Sequence, residues 1–184
     1  MSGIVGSRFN IRGSGLVGKL GTDGQVFTSA GAGKSAVFED AAAGGKILQV
    51  QSSHNNNPST ISSNSTSWIT SGITVTITPS ASNSKILLMF SSGLGYSDND
   101  GETHRQLYRN INSGGETALG AGGYGMANYA LSNFTPWEMT WLDSPSTTSS
   151  TVYSVWHKTG NASNDSVICW STSYYELLAI EVGA

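Results

Sequence analysis

The chain has 184 residues, of which only 11% are charged, and its net charge is −3. Nine scattered Lys and Arg residues form no basic stripe, so the composition argues against direct nucleic-acid binding. No apolar run is long enough to cross a bilayer and the first residues lack a leader pattern, so we expect neither membrane insertion nor secretion.

Residues 1 to 45 are rich in glycine and poor in large apolar side chains. Such a segment cannot bury enough apolar surface to fold alone, so we predict extended β structure that packs on a partner surface. The positions expected to make these anchoring or trimer contacts are Phe9, Leu16, Val17, Val26, Phe27 and Phe38.

A glycine-rich stretch in this segment, "TSAGAGKSAVFED", ends like a phosphate-binding loop. That loop needs glycine where this chain has Thr28, and it needs a helix directly afterwards. The following residues instead reach Gly44 and Gly45 within about three helical turns. We therefore expect no nucleotide site, and we interpret Gly31 and Gly33 as turn positions and Lys34 as a solvated or partner-facing charge.

From residue 46 onward, apolar and polar residues alternate with a period of two, between turns rich in Ser, Asn, Gly and Pro. This pattern predicts short antiparallel strands. In "ITVTITP", for example, Ile73, Val75 and Ile77 share one face. The predicted strands lie near 46–51, 66–69, 73–77, 85–90, 105–111, 137–141, 151–158, 166–171 and 175–182.

The fold predicted from these strands is all-β, an antiparallel β-sandwich of the jelly-roll type over residues 46 to 184. The last run, "YYELLAIEV", contains good helix formers. Because Leu178, Ile180 and Val182 alternate with other residues, we predict a final strand that buries those three side chains.

No pattern of catalytic or cofactor-binding residues stands out, and we expect neither an enzyme nor a cofactor. Cys169 has strand-like apolar neighbours and is predicted to be a buried thiol. Glu138 is expected on the solvated face of its strand. The three histidines lack zinc-ligand spacing. The "YSDNDGE" stretch is interpreted as an exposed hairpin loop, with a calcium site at a subunit contact as the alternative.

Aromatic residues on a hydroxyl-rich, weakly charged frame suit carbohydrate recognition, because flat rings cover sugar faces while amides and hydroxyls bind sugar hydroxyls. Most of the tryptophans are assigned to the core by strand phase. The residues expected in exposed loops, and hence the possible receptor or glycan contacts, are Tyr96, Tyr124, Tyr129 and Phe134.

The run "GSGLVGKLGTDGQVFTSAGAGKSAVFED" resembles a pattern in tail-fibre and other structural proteins of marine bacteriophages. The stretches "ITVTITPSASNSKILLMF", "RQLYRNINSG" and "WLDSPSTTSSTVYSVWHKTG" resemble the jelly-roll-like domain that follows it in such proteins. The resemblance implies a virion component, a homotrimer anchored by its N-terminal segment with the C-terminal domain distal. The chain is shorter than a long tail fibre, so a short fibre or a decoration on the capsid, neck or tail hub fits equally well.

These observations predict a non-enzymatic phage structural protein located in the virion. Residues 1 to 45 would dock on other virion proteins, and residues 46 to 184 would attach to the host surface, by a glycan for example, or stabilise the shell. A lectin-like carbohydrate-binding module without a virion role is the alternative. A capsule-degrading enzyme is a third class, disfavoured by the short chain and its isolated carboxylates.

Overall fold

The computed structural model describes residues 22, 25–29, 37–40, 47–97, 101–120, 123–129 and 133–183. The chain divides into two compact units, Met1–Gly44 and Gly45–Ala184. The predicted contact residues Phe9, Leu16 and Val17 lie outside the described residues, as do Gly31, Gly33 and Lys34.

All of the regular structure among the described residues is β-strand, which confirms the all-β prediction. Accordingly, the described residues include no helix that would span a membrane. The strands are β1 (Gln25–Thr28), β2 (Val37–Asp40), β3 (Ile47–Asn55), β4 (Ile61–Ser63), β5 (Ile69–Ile77), β6 (Lys85–Ser97), β7 (Thr103–Ile111), β8 (Glu116–Ala118), β9 (Ala127–Tyr129), β10 (Thr135–Asp143), β11 (Thr151–Thr159), β12 (Ser166–Cys169) and β13 (Tyr175–Val182).

The second unit is a set of antiparallel strand pairs nested inside one another. β3 pairs with β13, β4 with β12, β5 with β11 and β6 with β10, while β7 at the centre pairs with both β8 and β9. This is the pairing of one long hairpin whose tip lies after β7. Rolling such a hairpin on itself distributes its strands between two sheets, which is the topology of a jelly roll.

Two sheets enclose the core. Sheet I has the order β3-β13-β6-β10, with β12 and then β4 continuing beside the end of β6. Sheet II has the order β5-β11-β7, with β8 and β9 along the other side of β7. The largest apolar side chains of the core come from both sheets. They include Ile73, Ile77, Ile86, Leu88, Phe90, Leu107, Tyr153 and Leu177.

The final strand, β13, has the predicted bounds, but the predicted phase is wrong. Leu177, Ala179 and Glu181 are buried, whereas Leu178 and Ile180 lie on the opposite face of sheet I and are only half-buried. Glu181 can occupy the inward position because its carboxylate accepts hydrogen bonds from Gln49 and Ser80. Burial alone would raise the pKa of Glu181, but these hydrogen bonds lower it to about 2.

The connection that contains "YSDNDGE" is not a hairpin loop as predicted. β6, which ends at Ser97, and β7, which begins at Thr103, belong to different sheets and do not pair. The connection is therefore a crossover from sheet I to sheet II. The residues numbered 98 to 100, on which the alternative calcium site depends, lie outside the described part of the chain.

A buried polar contact joins the two sheets. Asp143 on β10 accepts a hydrogen bond of 2.7 Å from the Tyr153 hydroxyl on β11 and pairs with Arg109 on β7, whose Nη1 lies 2.9 and 3.0 Å from the two carboxylate oxygens. Burial, followed by the hydrogen bond to Asp143, raises the pKa of Tyr153. The hydroxyl therefore remains a donor throughout the neutral range.

Removing this donor is expected to weaken the sandwich. Tyr153→Phe deletes a buried hydrogen bond to a charged acceptor, which is worth about 1.5 to 3 kcal/mol of unfolding free energy. Urea unfolding followed by tryptophan fluorescence measures the loss. Tyr174→Phe, at a tyrosine that is 45% exposed, is the matched control and should change stability little. An equal loss in both variants would contradict the role assigned to the Asp143 contact.

Candidate functional site

Two of the four predicted receptor contacts, Tyr96 and Phe134, come together on the surface. Their ring centroids are 5.0 Å apart in a T-shaped arrangement. A third ring, that of Trp170, lies 5.7 Å from Tyr96 and 5.9 Å from Phe134. We call these three side chains the aromatic platform.

Three separated parts of the chain position the platform. Tyr96 lies near the end of β6 and pairs with Val167 of β12. Phe134 directly precedes β10, whose first residue pairs with Gly95 of β6. Trp170 directly follows β12, and its backbone NH donates to the carbonyl of Leu94. Tyr96 therefore lies in a strand, which corrects the prediction that it lies in a loop.

The platform is open to solvent. Phe134 is 53% exposed and Trp170 is 38% exposed, although aromatic side chains of this size are mostly buried. Burying one of them is worth about 1.5 to 3 kcal/mol. Clusters of exposed aromatic rings are characteristic of binding surfaces, since the rings are wetted at a cost that a ligand removes.

Beside the platform lies a shallow depression of about 540 Å³. Its size falls within the range of small-ligand sites, about 300 to 1,000 Å³. None of its lining side chains is charged, and they provide one ring, one amide and three hydroxyls, one of which belongs to the tyrosine ring. The lining residues are Asn56, Gly93, Leu94, Thr172, Ser173 and Tyr174. A neutral, amphipathic ligand matches this lining best.

The turn between β12 and β13 forms one wall of the depression. The NH of Ser173 donates to the carbonyl of Trp170 at 3.1 Å, which closes the turn. Thr172 has a φ of +67°, a conformation that is uncommon for a β-branched residue. The Ser173 hydroxyl accepts a hydrogen bond of 2.8 Å from the NH of Leu94 and so fastens the turn to β6. The ring at position 174 is consequently held against Gly93 of β6.

Close approach of this turn requires glycine at position 93. A Cβ atom there would lie 2.6 Å from the Ser173 hydroxyl and 2.8 Å from the Tyr174 ring. Beneath the turn, Cys169 is fully buried, as predicted, and its thiol donates to the carbonyl of Tyr174 at 3.2 Å. Burial raises the pKa of this thiol, as is typical of a structural cysteine.

A buried cluster of polar residues on β7, β11 and β12 supports the platform from inside. The fully buried Arg105 of β7 donates from Nη2 to the carbonyl of Val167 and from Nη1 to the hydroxyls of Ser166 and Thr103. Its guanidinium also lies 4.4 Å from the ring centroid of Trp137. Since Val167 pairs with Tyr96, the hydrogen bond from Arg105 to Val167 fixes β12 beside the part of β6 that carries Tyr96. Burial lowers the pKa of Arg105 to about 9, and the side chain stays charged at neutral pH.

The remaining predicted contacts lie elsewhere. Tyr124 is 66% exposed and its ring lies against His104 of sheet II, at 5.5 Å between centroids. Tyr129 belongs to β9, and its side chain lies outside what the structure describes. The structure therefore groups Tyr96 with Phe134 and does not place Tyr124 in ring contact with either.

Sequence reasoning missed Trp170, because strand phase assigned most tryptophans to the core. Trp137 alone among the five is almost fully buried, at 1% exposure, whereas Trp141 and Trp170 are 36% and 38% exposed. Glu138, by contrast, is exposed as predicted. Within the described residues no group of three or more His, Cys, Asp or Glu side chains is arranged to hold a metal ion.

The first unit presents a different apolar surface. β1 and β2 form a two-stranded sheet in which Phe27 pairs with Phe38, with ring centroids 5.0 Å apart. Val26 is 47% exposed and Phe27 is 53% exposed. β2 begins soon after the Gly-Lys-Ser sequence, where a phosphate-binding loop would be followed by a helix.

Comparisons with known proteins add little to this description. No protein-family model and no curated protein matches the chain. A solved structure described as that of infectious bursal disease virus Gx strain aligns with 86% of this chain, and the aligned part makes up 41% of the viral chain. The sequence identity is 11% and the TM-score is 0.34. This chain thus spans less than half of that viral protein, and the sandwich assignment rests on the strand pairing described above.

The buried cluster predicts acid sensitivity. Burial, followed by the charge of Arg105, lowers the pKa of His157 to about 3, whereas an unfolded histidine titrates near 6.5. Between these values the unfolded chain binds more protons, so the unfolding free energy falls as the pH falls from about 6.5 towards 3, by up to about 1.4 kcal/mol per pH unit.

His157→Gln is expected to flatten this pH dependence by about one proton. Urea unfolding at several pH values between about 3 and about 7 measures how steeply the unfolding free energy depends on pH. His54→Gln, at an exposed histidine of β3, should leave the slope unchanged. If both variants kept the original slope, the buried imidazole would not be its source.

Proposed function

We propose that this protein is a phage virion structural protein whose jelly-roll domain attaches to the host surface by binding neutral carbohydrate at the aromatic platform. The observation that carries the attachment role is the cluster of the exposed Phe134 and Trp170 with the half-buried Tyr96, beside an uncharged depression. The virion role is supported by the resemblance of the N-terminal run to structural proteins of marine phages. Stabilisation of the shell by the same domain is the alternative role within the virion.

The platform suits a sugar for physical reasons. Sugar rings have apolar CH faces that pack on aromatic rings, and an equatorial rim of hydroxyls that needs polar partners. The inclined rings of the platform present more than one stacking surface, while Asn56 and Thr172 of the depression provide an amide and a hydroxyl at its side. The absence of charge from the depression lining favours neutral over acidic saccharides.

The exposed side chains of the β1–β2 hairpin support the proposed docking role of residues 1 to 45. An isolated two-stranded sheet is marginally stable in water. Val26 and Phe27 point to opposite faces of the hairpin. Packing the face that carries Phe27 against a neighbouring virion protein would bury that side chain and stabilise the hairpin. The homotrimer implied by the resemblance belongs to this part of the proposal. Several linked copies would also strengthen weak sugar binding by about 10² to 10⁴.

The binding role is tested with the full-length protein. Arrays of host-surface and reference glycans identify a ligand, and titration calorimetry then measures its affinity. Trp170→Ala and Phe134→Ala should each weaken binding by about tenfold or more, because one stacked ring contributes on the order of 1 kcal/mol beyond its buried area.

Tyr124→Ala is the matched control, since it removes an exposed ring that lies against His104 of sheet II and should leave the affinity unchanged. Equal affinity in all three variants, or no binding to any glycan, would overturn the platform as a receptor site. The virion role has a separate readout, mass spectrometry of purified particles. Glycan binding without the protein in particles would favour the lectin-like alternative.

A further inference from the structure

The outer face of sheet I, which points away from the core, is apolar and exposed. Val50 and Leu142 are each 52% exposed, and Met89 is 43% exposed. Leu87, Leu178 and Ile180 lie on the same face and are half-buried. Soluble proteins rarely leave an apolar patch of this extent open, and a patch of this kind marks an interaction surface.

The strand register arranges this face in rows that cross β3, β13, β6 and β10. One row contains Val50, Ile180, Leu87 and Leu142. The next row contains Ser52, Leu178, Met89 and Thr140.

Charged residues lie at the two ends of this face. Beyond the first row lies Lys85 of β6, and beyond the second row lies Ser91, between Glu176 of β13 and Glu138 of β10. The positive and negative ends of the face are therefore equidistant from the boundary between the two apolar rows.

The face is large enough for a stable contact. Four strands about 4.8 Å apart and nine residues long at about 3.3 Å per residue cover roughly 20 by 30 Å in projection. The accessible surface follows the relief of the side chains and is larger than this projection. It thus approaches the roughly 800 Å² per partner of a standard protein interface.

We propose that the outer face of sheet I binds the same face of a second copy of this chain, about a two-fold axis that runs across the strands between the two apolar rows. This axis places the Leu87 row of each copy on the Met89 row of the other. It also places Lys85 of each copy over Ser91 of the other, between the carboxylates of Glu138 and Glu176. The contact is self-complementary, as a two-fold interface must be.

The alternative two-fold axis, parallel to the strands, is disfavoured by charge. It would put the Lys85 end of one copy on the Lys85 end of the other, and would face Glu138 and Glu176 with their own counterparts. Like charges facing each other across an interface cost several kcal/mol, or more than 100-fold in affinity. Only the axis across the strands pairs each lysine with two carboxylates.

A depression on this face also fits the proposed partner. It measures about 200 Å³, and its lining includes Met89, Ser91, Glu138, Thr140, Glu176 and Leu178. That is below the roughly 300 Å³ at which small-molecule sites begin. It is a slot for one long side chain with a cationic end, which Lys85 of the second copy provides.

The test is the oligomeric state of the full-length protein by sedimentation velocity and light scattering. The mass should be an even multiple of 19.2 kDa, whether the pair stands alone or joins two of the trimers predicted for residues 1 to 45. Lys85→Glu and Leu142→Glu should each weaken the pairing by about 100-fold or more. The triple variant K85E/E138K/E176K exchanges the charges and should restore pairing to within about tenfold of the original.

Glu116→Lys, on β8 of sheet II, is the control for an exposed charge reversal and should leave the mass unchanged. A wild-type monomer or trimer would overturn the proposal. So would pairing that survives both single variants, or a triple variant that pairs no better than Lys85→Glu. None of these readouts depends on glycan binding, so the proposed receptor role is tested separately.

Discussion

The antiparallel pairing of β3 with β13 is the constraint on which the sandwich depends. It joins two strands more than 100 residues apart in sequence and places β13 between β3 and β6 in sheet I. The other strand pairs are nested inside this one. The platform is a consequence of the same nesting, because its three rings come from the end of β6, the start of β10 and the end of β12. In a chain whose strands paired only with their sequence neighbours, these three rings would not come together and the depression beside them would not form.

Much of the fold could be predicted because strand periodicity is a local property. The bounds of β13 and the position of β11 follow from alternation and turn residues alone. The phase of β13 could not be predicted, because both of its faces are apolar. Leu178 and Ile180 are as hydrophobic as Leu177 and Ala179, and the inward position of Glu181 is made possible by Gln49 and Ser80, which are distant in sequence. Alternation assigns the larger side chains, Leu178 and Ile180, to the core, whereas they lie on the outer face of sheet I.

The candidate site was only partly predictable for a similar reason. The sequence identifies Tyr96 and Phe134 as candidate aromatic contacts, and the structure brings them together. The sequence does not identify Trp170, although it directly precedes the polar stretch "STS" that forms a turn. Arg105 shares a strand face with Leu107, but its charge gave no signal of burial, because a charged residue near the start of a strand is equally consistent with an exposed edge. Its burial depends on the carbonyl of Val167 and the hydroxyl of Ser166 in the opposite sheet, and sequence periodicity contains no information about such partners.

The nested pairing also determines when the domain can form during synthesis. The hairpin tip around β7 to β9 has short loops to close and can pair early. Among the described strands, β3 pairs in sheet I with β13 alone, and it gains that neighbour when β13 has left the ribosome. Folding dominated by such non-local pairing is slow, because loop-closure entropy is lost before the contacts that compensate for it are made. Until then the apolar residues of β3 have no sheet to join, and many copies translated at once would meet each other in that state. For this protein, the interval between emergence of β3 and emergence of β13 is the period in which a chaperone would matter most.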